Sequence, residues 1–133
     1  MTAVLRMFLM IALPFAVLAG CGTSSDGPEI APVSGVVTLD GKPVTNASVV
    51  FESSNGVVAF GNTNGEGVYE LNYLDGQKGA EVGSNTVRIE TVLDAPPPAN
   101  YRDPIPAKYN QRSELKADVQ PGQNTHDFAL QTK

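Results

Sequence analysis

The sequence is poor in the residue types on which many compact catalytic and metal sites depend. Its 133 residues include one cysteine, one histidine and no tryptophan. A single cysteine excludes both an intrachain disulfide framework and a zinc site built from several cysteines. A single histidine excludes sites that need several imidazole ligands. We therefore expect neither a metal nor a cofactor.

Basic residues are also scarce. Nine lysines and arginines stand against fourteen acidic residues, which gives a formal net charge of −5. The basic residues form no cluster, and contacts with a phosphate backbone require lysine and arginine side chains. A nucleic-acid partner is therefore excluded. The chain length fits one domain of ordinary size.

The first 20 residues differ from the rest because they carry a single charge, at Arg6. The apolar run at 7–20 has fourteen residues. As a helix at about 1.5 Å per residue it would span roughly 21 Å, short of a hydrocarbon core of about 30 Å. The pattern predicts a signal peptide over residues 1–20. An ordinary secretory signal followed by an unrelated cysteine is the alternative to a lipoprotein signal.

The end of this run, Leu18-Ala19-Gly20-Cys21, resembles the lipobox of bacterial lipoproteins. The resemblance implies that Cys21 becomes the acylated N-terminus, with the membrane as its partner. We expect an exported protein on the outer membrane, on the periplasmic face of a membrane or at the cell surface. Residues 21–32 are small, polar and rich in Gly and Pro, so they are expected to form a lipidated flexible tether.

From Val33 onward the apolar residues alternate with polar ones, which is typical of strands. Turn signals such as Asp40-Gly41, Asn64-Gly65 and Pro121-Gly122 separate the segments. No stretch of the mature chain shows the 3.6-residue period of an amphipathic helix. The pattern predicts an all-β, seven-stranded antiparallel β-sandwich. The expected strands are 33–39, 47–52, 57–62, 69–73, 87–93, 115–119 and 126–130.

The order of these motifs resembles a known family. Residues 33–51 and 61–71 resemble the opening and the central turn of a carboxypeptidase regulatory-like domain. Residues 106–130 are similar to the end of small planctomycete-type lipoproteins. The resemblance implies a Greek-key, transthyretin-like domain over 33–131, of a kind that accompanies a catalytic domain in carboxypeptidases. The expected function is a non-catalytic structural or interaction module of the cell envelope.

The long proline-rich connection at 94–112 is the main exception to the strand pattern. Connections of this length without regular structure are uncommon in compact domains. In one interpretation Tyr101 and Tyr109 are binding residues on a recognition loop. In the other, the segment is a plain crossing between sheets, with Tyr109 packed at the edge of the core. The Gly-rich segment 75–83 is a second candidate contact surface.

Catalytic interpretations have little support in the sequence. The chain has no G-x-S-x-G motif, and His126 is expected on the core-facing side of the last strand. A lysine–asparagine isopeptide bond is disfavoured because Lys42 lies in a predicted turn. Asn64 occupies a turn position where a calcium loop would favour a carboxylate. The alternatives that remain are a carbohydrate- or peptide-binding lipoprotein, with an envelope protein or peptidoglycan as partner, and a less favoured unrecognised hydrolase.

Overall fold

The computed structural model describes residues 27–133, and these residues form an all-β fold, as expected. Two short 3-10 turns occur, at Leu74–Gly76 and Ala107–Tyr109. Within the described range no helix is long and apolar enough to cross a membrane. The strands are β1 (Ile30–Ala31), β2 (Val33–Leu39), β3 (Lys42–Pro43), β4 (Ala47–Ser53), β5 (Val58–Asn62), β6 (Val68–Glu70), β7 (Ala80–Glu81), β8 (Gly83–Thr91), β9 (Lys116–Val119), β10 (Asn124–Thr125) and β11 (Phe128–Leu130).

One sheet is fully antiparallel, with strand order β5-β4-β8-β9. Its centre is the pairing of β4 with β8, in which Val49 lies opposite Ile89 and Phe51 lies opposite Val87. These four side chains are completely buried. The predicted two-residue period of both strands is therefore confirmed, since alternate residues of a strand point to the same face.

A second, five-stranded sheet is organised around β2, which is paired on both of its edges, and β1 and β7 form a separate two-stranded sheet. Ser34 pairs with Thr125 of β10 and with Glu70 of β6, so these two strands lie on opposite sides of β2. The β10 and β11 strands run parallel to β2, while β3 and β6 run antiparallel to it. Of the expected last strand, 126–130, only Phe128–Leu130 forms a strand, β11, and β10 lies before it. Between the two strands the Asp127 carboxylate accepts the Val36 N–H at 2.8 Å in place of a main-chain oxygen.

A single apolar core takes side chains from both sheets. Phe51 of the antiparallel sheet meets Phe128 of the other sheet edge to face, with ring centroids 6.2 Å apart. Burial of such large side chains contributes about 1.5–3 kcal/mol each. The largest completely buried or nearly buried side chains are Tyr69, Phe51, Leu71, Ile89 and Ile105.

The ordered domain begins earlier than the sequence predicted. Ile30 and Ala31 were expected in the flexible tether, but they form β1, and they pair with Glu81 and Ala80 of β7. Ala31 is only 2% exposed. Gly79 makes this pairing possible, because a Cβ at that position would lie 2.0 Å from the Ala31 carbonyl oxygen. Two apolar residues are too few to produce a readable strand period, which explains the error.

The strand directions place the start of the domain and the long connection at opposite ends. The Glu29 carbonyl accepts a hydrogen bond from Val82, immediately before β8 begins at Gly83. The long connection leaves β8 at its other end, after Thr91. The nine residues of β8 at about 3.3 Å each separate these two ends by roughly 30 Å.

Candidate interaction site

The connection that follows β8 has two parts with different surroundings. Residues 92–101, here called the loop tip, contain the three consecutive prolines at 96–98. Residues 92–100 are all exposed, and Tyr101 is half-buried. Leu93 was expected to continue the inward face of β8, but the strand ends at Thr91 and Leu93 is 41% exposed. The loop tip is therefore an exposed and largely apolar surface.

Residues 103–113, here called the loop base, are fixed to the domain. The Asp103 carboxylate accepts hydrogen bonds from the Thr91 hydroxyl at 2.7 Å and from the Ile105 N–H at 2.9 Å. The Ile105 side chain is 2% exposed and belongs to the core. The aspartate thus joins the end of β8 to the point at which the connection enters the core.

Asn110 and Ser113 continue this attachment. Asn110 is 8% exposed, and its side-chain amide donates to the carbonyls of Ile89 and Ile105 at 3.3 and 3.4 Å. The Ser113 hydroxyl donates to the Val87 carbonyl. These contacts provide donors for main-chain oxygens on the part of the β8 edge that β9 does not cover. A buried carbonyl without a donor would be unfavourable there.

The two tyrosines proposed from the sequence have different roles. Tyr109 packs against the core, and its hydroxyl oxygen accepts the Gln131 N–H at 3.0 Å. Tyr101 belongs to the loop tip, where its N–H closes a turn onto the Pro98 carbonyl at 2.9 Å. The structure does not bring the two side chains into one site. Tyr109 supports the loop base, whereas Tyr101 lies beside the exposed prolines.

The Gly-rich segment 75–83 is less exposed than expected, since part of it forms β7. Glu81 of β7 is 7% exposed, and one of its carboxylate oxygens accepts a hydrogen bond from the Asn55 amide. Its other oxygen is buried and has no hydrogen-bond partner among residues 27–133. This segment therefore belongs mainly to the packed domain rather than to a free contact surface.

His126 lies between β10 and β11 and is half-buried, with its ring 5.9 Å from the Phe51 ring. Its main-chain oxygen accepts a hydrogen bond from the Tyr69 hydroxyl at 2.5 Å. Burial, with a smaller contribution from the charge of Asp127, raises the pKa of Tyr69 well above its ordinary value. Tyr69 therefore remains a neutral donor that ties β6 to the segment between β10 and β11, on the other side of β2.

The C-terminal segment is fixed by a second carboxylate. Asp40 accepts hydrogen bonds from the Thr132 hydroxyl at 2.7 Å and from the Thr132 N–H at 3.1 Å. These two bonds lower the pKa of Asp40, the hydroxyl contributing more than the main-chain nitrogen. Asp40 has a φ of 49°, in the left-handed region, within the predicted Asp-Gly turn.

A shallow groove lies at the end of the domain where the chain enters. Its volume is about 330 Å³. Pro32, Val33, Gly79 and Gln123 are among the residues that line it. The Lys78 ammonium and the Glu70 carboxylate also line it, and they form an ion pair at 2.8 Å. This groove is close to the smallest size at which proteins bind small molecules.

Two other residues were considered as sites from the sequence, Lys42 and Cys21. Lys42, considered for an isopeptide bond, is exposed on β3. Cys21, the predicted lipidation site, lies outside the described residues. In the part of the chain from residue 27 onward, no group of three or more His, Cys, Asp or Glu side chains is placed to hold a metal ion.

Comparisons with protein-family models, curated proteins and solved structures found no match to the chain.

Sequence reasoning found the loop tip but missed the residues that fix its base. Asp103, Ile105 and Asn110 were not singled out in advance. A signal for Ile105 was present, because it is an isolated aliphatic residue between Pro104 and Pro106 in an otherwise irregular segment. The acceptor role of Asp103 depends on the position of Thr91, which only the folded chain supplies.

Proposed function

We propose that the protein is a membrane-anchored, non-catalytic lipoprotein of the cell envelope that binds a protein partner through the loop tip. The observation that carries this proposal is the position of residues 92–101. They form an exposed, proline-rich surface on a fixed base, at the end of the domain opposite to its N-terminal segment. An anchor at Cys21 would therefore leave the loop tip facing away from the membrane.

The anchor is proposed from the lipobox-like residues 18–21. One acyl chain gives only marginal membrane binding, whereas two or more hold a protein durably. Residues 22–29 connect Cys21 to β1, and at about 3.3 Å each they would reach roughly 26 Å. This reach would hold the N-terminal end of the folded domain close to the membrane surface.

The proposed fold is a seven-stranded, transthyretin-like sandwich related to carboxypeptidase regulatory-like domains. Two features support it: both sheets contribute to one core, and β2 pairs with strands from the start, middle and end of the chain. In this proposal, β10 and β11 count as one strand, and β1, β3 and β7 are short additions to the sandwich. Such a domain serves as a rigid support for its loops.

The chemistry of the loop tip suits a protein partner. Three consecutive prolines lack N–H groups, so this part of the tip cannot extend a β-sheet by donating hydrogen bonds. Proline also fixes φ, which lowers the entropy lost when the segment is bound. Val92 and Leu93 add exposed aliphatic surface beside the prolines. Burial of this surface would stabilise a complex by about 25 cal/mol per Å².

The contact surface can be tested by site-specific photo-crosslinking in cells that produce the full chain. A crosslinker at Ala99 of the loop tip should give a discrete adduct. A crosslinker at Asp118, which is exposed on β9, is the matched control and should not give the same adduct. Replacement of Pro96, Pro97 and Pro98 by serine should abolish the Ala99 adduct. Identical adducts from both positions would contradict the proposal.

The anchor is tested separately by Cys21→Ser. The variant should move from the membrane fraction to the soluble exported fraction, since it cannot receive a lipid on sulfur. Asn46→Ser, a surface substitution within the domain, should not change the fractionation. Firm membrane association of Cys21→Ser would exclude lipidation as the anchor.

A second candidate function is capture of a peptide or carbohydrate, and the groove beside Pro32 favours it. Its ion pair offers one charge of each sign, which suits a zwitterionic ligand such as a peptide end. A binding screen with short peptides and glycans on the full chain tests this alternative. Glu70→Gln and Lys78→Gln should each weaken a ligand held by charge, whereas unchanged binding would place the ligand elsewhere.

A further inference from the structure

We infer that Asn64 is a site of spontaneous deamidation, which the local fold favours over the other asparagine–glycine pair in the described residues, Asn55-Gly56. The inference is independent of the proposed function. Glycine after asparagine allows the main-chain nitrogen to approach the side-chain amide carbon, because no side chain obstructs it. Both pairs share this property, so the difference between them must come from their hydrogen bonds.

At Asn64 the amide carbon is activated as an electrophile. The side-chain oxygen accepts hydrogen bonds from the N–H groups of Glu66 at 2.9 Å and Val68 at 3.0 Å. When a nucleophile attacks the amide carbon, negative charge develops on this oxygen. Two main-chain donors aimed at such an oxygen stabilise that charge, as in an oxyanion hole.

The attacking and leaving groups at this turn are both free to react. Within residues 27–133, the Gly65 N–H and the Asn64 side-chain nitrogen make no hydrogen bond. Both residues are exposed to water, and no heavy atom lies within 4 Å of the position that a Gly65 Cβ would occupy. The proton of the Gly65 nitrogen can therefore leave to solvent.

Asn55 has the opposite arrangement. The Gly56 N–H, which would have to attack, donates to the Ser53 carbonyl at 2.9 Å. The Asn55 side-chain nitrogen, which would have to leave, donates to the carboxylate of Glu81. Reaction at Asn55 would break both bonds and expose the buried Glu81 carboxylate. The two pairs therefore form an internal comparison in one molecule.

The reaction needs only water as a co-reactant. The Gly65 nitrogen forms a bond to the Asn64 side-chain carbon, the bond from that carbon to its nitrogen breaks, and ammonia leaves with the Gly65 proton. Water then opens the cyclic imide. Opening at the side-chain carbonyl gives aspartate, and opening at the main-chain carbonyl gives isoaspartate. No oxidation or reduction takes place.

The aspartate product fits the turn, since the same two N–H groups would then donate to a carboxylate. Hydrogen bonds to a charged acceptor are stronger than those to an amide oxygen. The isoaspartate product lengthens the main chain of the turn and would disturb the hydrogen bond from the Asn64 N–H to the Val68 carbonyl. Either product adds a negative charge at the end of the domain that carries the loop tip.

The test follows the full chain, purified in detergent and aged at neutral pH, by peptide mapping with mass spectrometry. We expect Asn64 to convert about tenfold faster than Asn55 in the folded protein. In denaturant the ratio should fall to about one, because the hydrogen bonds that distinguish the pairs are lost. Equal rates in the folded protein, faster conversion of Asn55, or a ratio unchanged by denaturant would each overturn the inference.

Two variants separate the chemistry from a general change in stability. Gly65→Ala should slow conversion of Asn64 and leave that of Asn55 unchanged. Asn64→Asp should reproduce the chromatographic shift of the aspartate product and fold as the parent does. If Gly65→Ala leaves the loss of Asn64 unchanged, the Gly65 nitrogen is not the nucleophile and the inference fails.

Discussion

The loop tip and the loop base are parts of one irregular connection, yet only the base places side chains in the core. Residues 92–100 are exposed, whereas Ile105 is 2% and Asn110 is 8% exposed. The regular structure of the loop base is limited to one 3-10 turn, Ala107–Tyr109. Its position is fixed by one aliphatic side chain in the core and by hydrogen bonds in which Asp103 and Tyr109 accept and Asn110 and Ser113 donate.

The comparison shows that irregular backbone becomes ordered when side chains take over the hydrogen-bonding role of a neighbouring strand. Asn110 and Ser113 donate to carbonyls of β8, where a paired strand would otherwise donate. The prolines of the tip have no N–H to offer, and among the described residues no side chain of the tip donates to a strand carbonyl. Four substitutions test this difference between base and tip.

The largest effect is expected from Ile105→Ala in the loop base. Removal of a buried isoleucine side chain leaves a cavity and should lower the free energy of unfolding by about 2–5 kcal/mol. Urea denaturation of the full chain measures the change. Leu93→Ala in the tip is the matched control and should stay within about 0.5 kcal/mol of the parent. Similar losses for the two variants would remove the distinction between base and tip.

Asp103→Ala should have the next largest effect. It removes the acceptor of the Thr91 hydroxyl and of the Ile105 N–H, so we expect a loss of about 1–3 kcal/mol, and the lower end is favoured because Asp103 is exposed to water. Asp94→Ala removes a carboxylate from the exposed tip and serves as its control. A stability of Asp103→Ala equal to that of Asp94→Ala would show that the aspartate does not fix the base.

Tyr109→Phe should have a smaller effect, because it removes only the hydroxyl that contacts Gln131. The expected loss is about 1 kcal/mol, the usual contribution of one hydrogen bond. Tyr101→Phe is the control, since the Tyr101 hydroxyl makes no hydrogen bond in the described part of the chain. Thermal denaturation compares the stability of the two variants. If Tyr101→Phe were the less stable, the supporting role of the Tyr109 hydroxyl would be wrong.

Pro97→Ala in the loop tip should have the smallest effect on stability, within about 0.5 kcal/mol of the parent. The effect on local backbone flexibility should be larger, because alanine does not fix φ as proline does. A more flexible segment is cleaved more readily by a protease. Limited proteolysis should therefore cleave residues 92–101 of the variant faster, while the midpoint of urea denaturation stays unchanged. A shifted midpoint would mean that the tip is packed more closely than its exposure indicates.

Much of the fold could be predicted because long strands have a readable period. Ala47, Val49 and Phe51 alternate with Ser48, Val50 and Glu52, and the first three are completely buried in β4. The same holds for Val87 and Ile89 of β8. The turn at Asn64-Gly65 was likewise readable from residue type alone, since Asn and Gly are the residues that tight turns favour.

The remaining features depend on contacts between distant residues. The parallel pairing of β2 with β10 and β11 has no local signal, since period and composition do not specify a partner. At the candidate site, the exposed prolines were readable, but the burial of Ile105 and the two acceptor contacts of Asp103 were not. Those contacts require Thr91 and the core to be in place first.

The double pairing of β2 has a mechanical consequence if the domain is held by its N-terminal segment, as proposed. A pulling force on the chain before Ile30 would first load β1, which is held by two residue pairs to β7. Once β1 had separated, the force would reach β2, whose two edges are bonded to strands from the middle and the end of the chain. The short pair would therefore yield first and release Ile30 and Ala31, while β2 would resist as the central strand of its sheet.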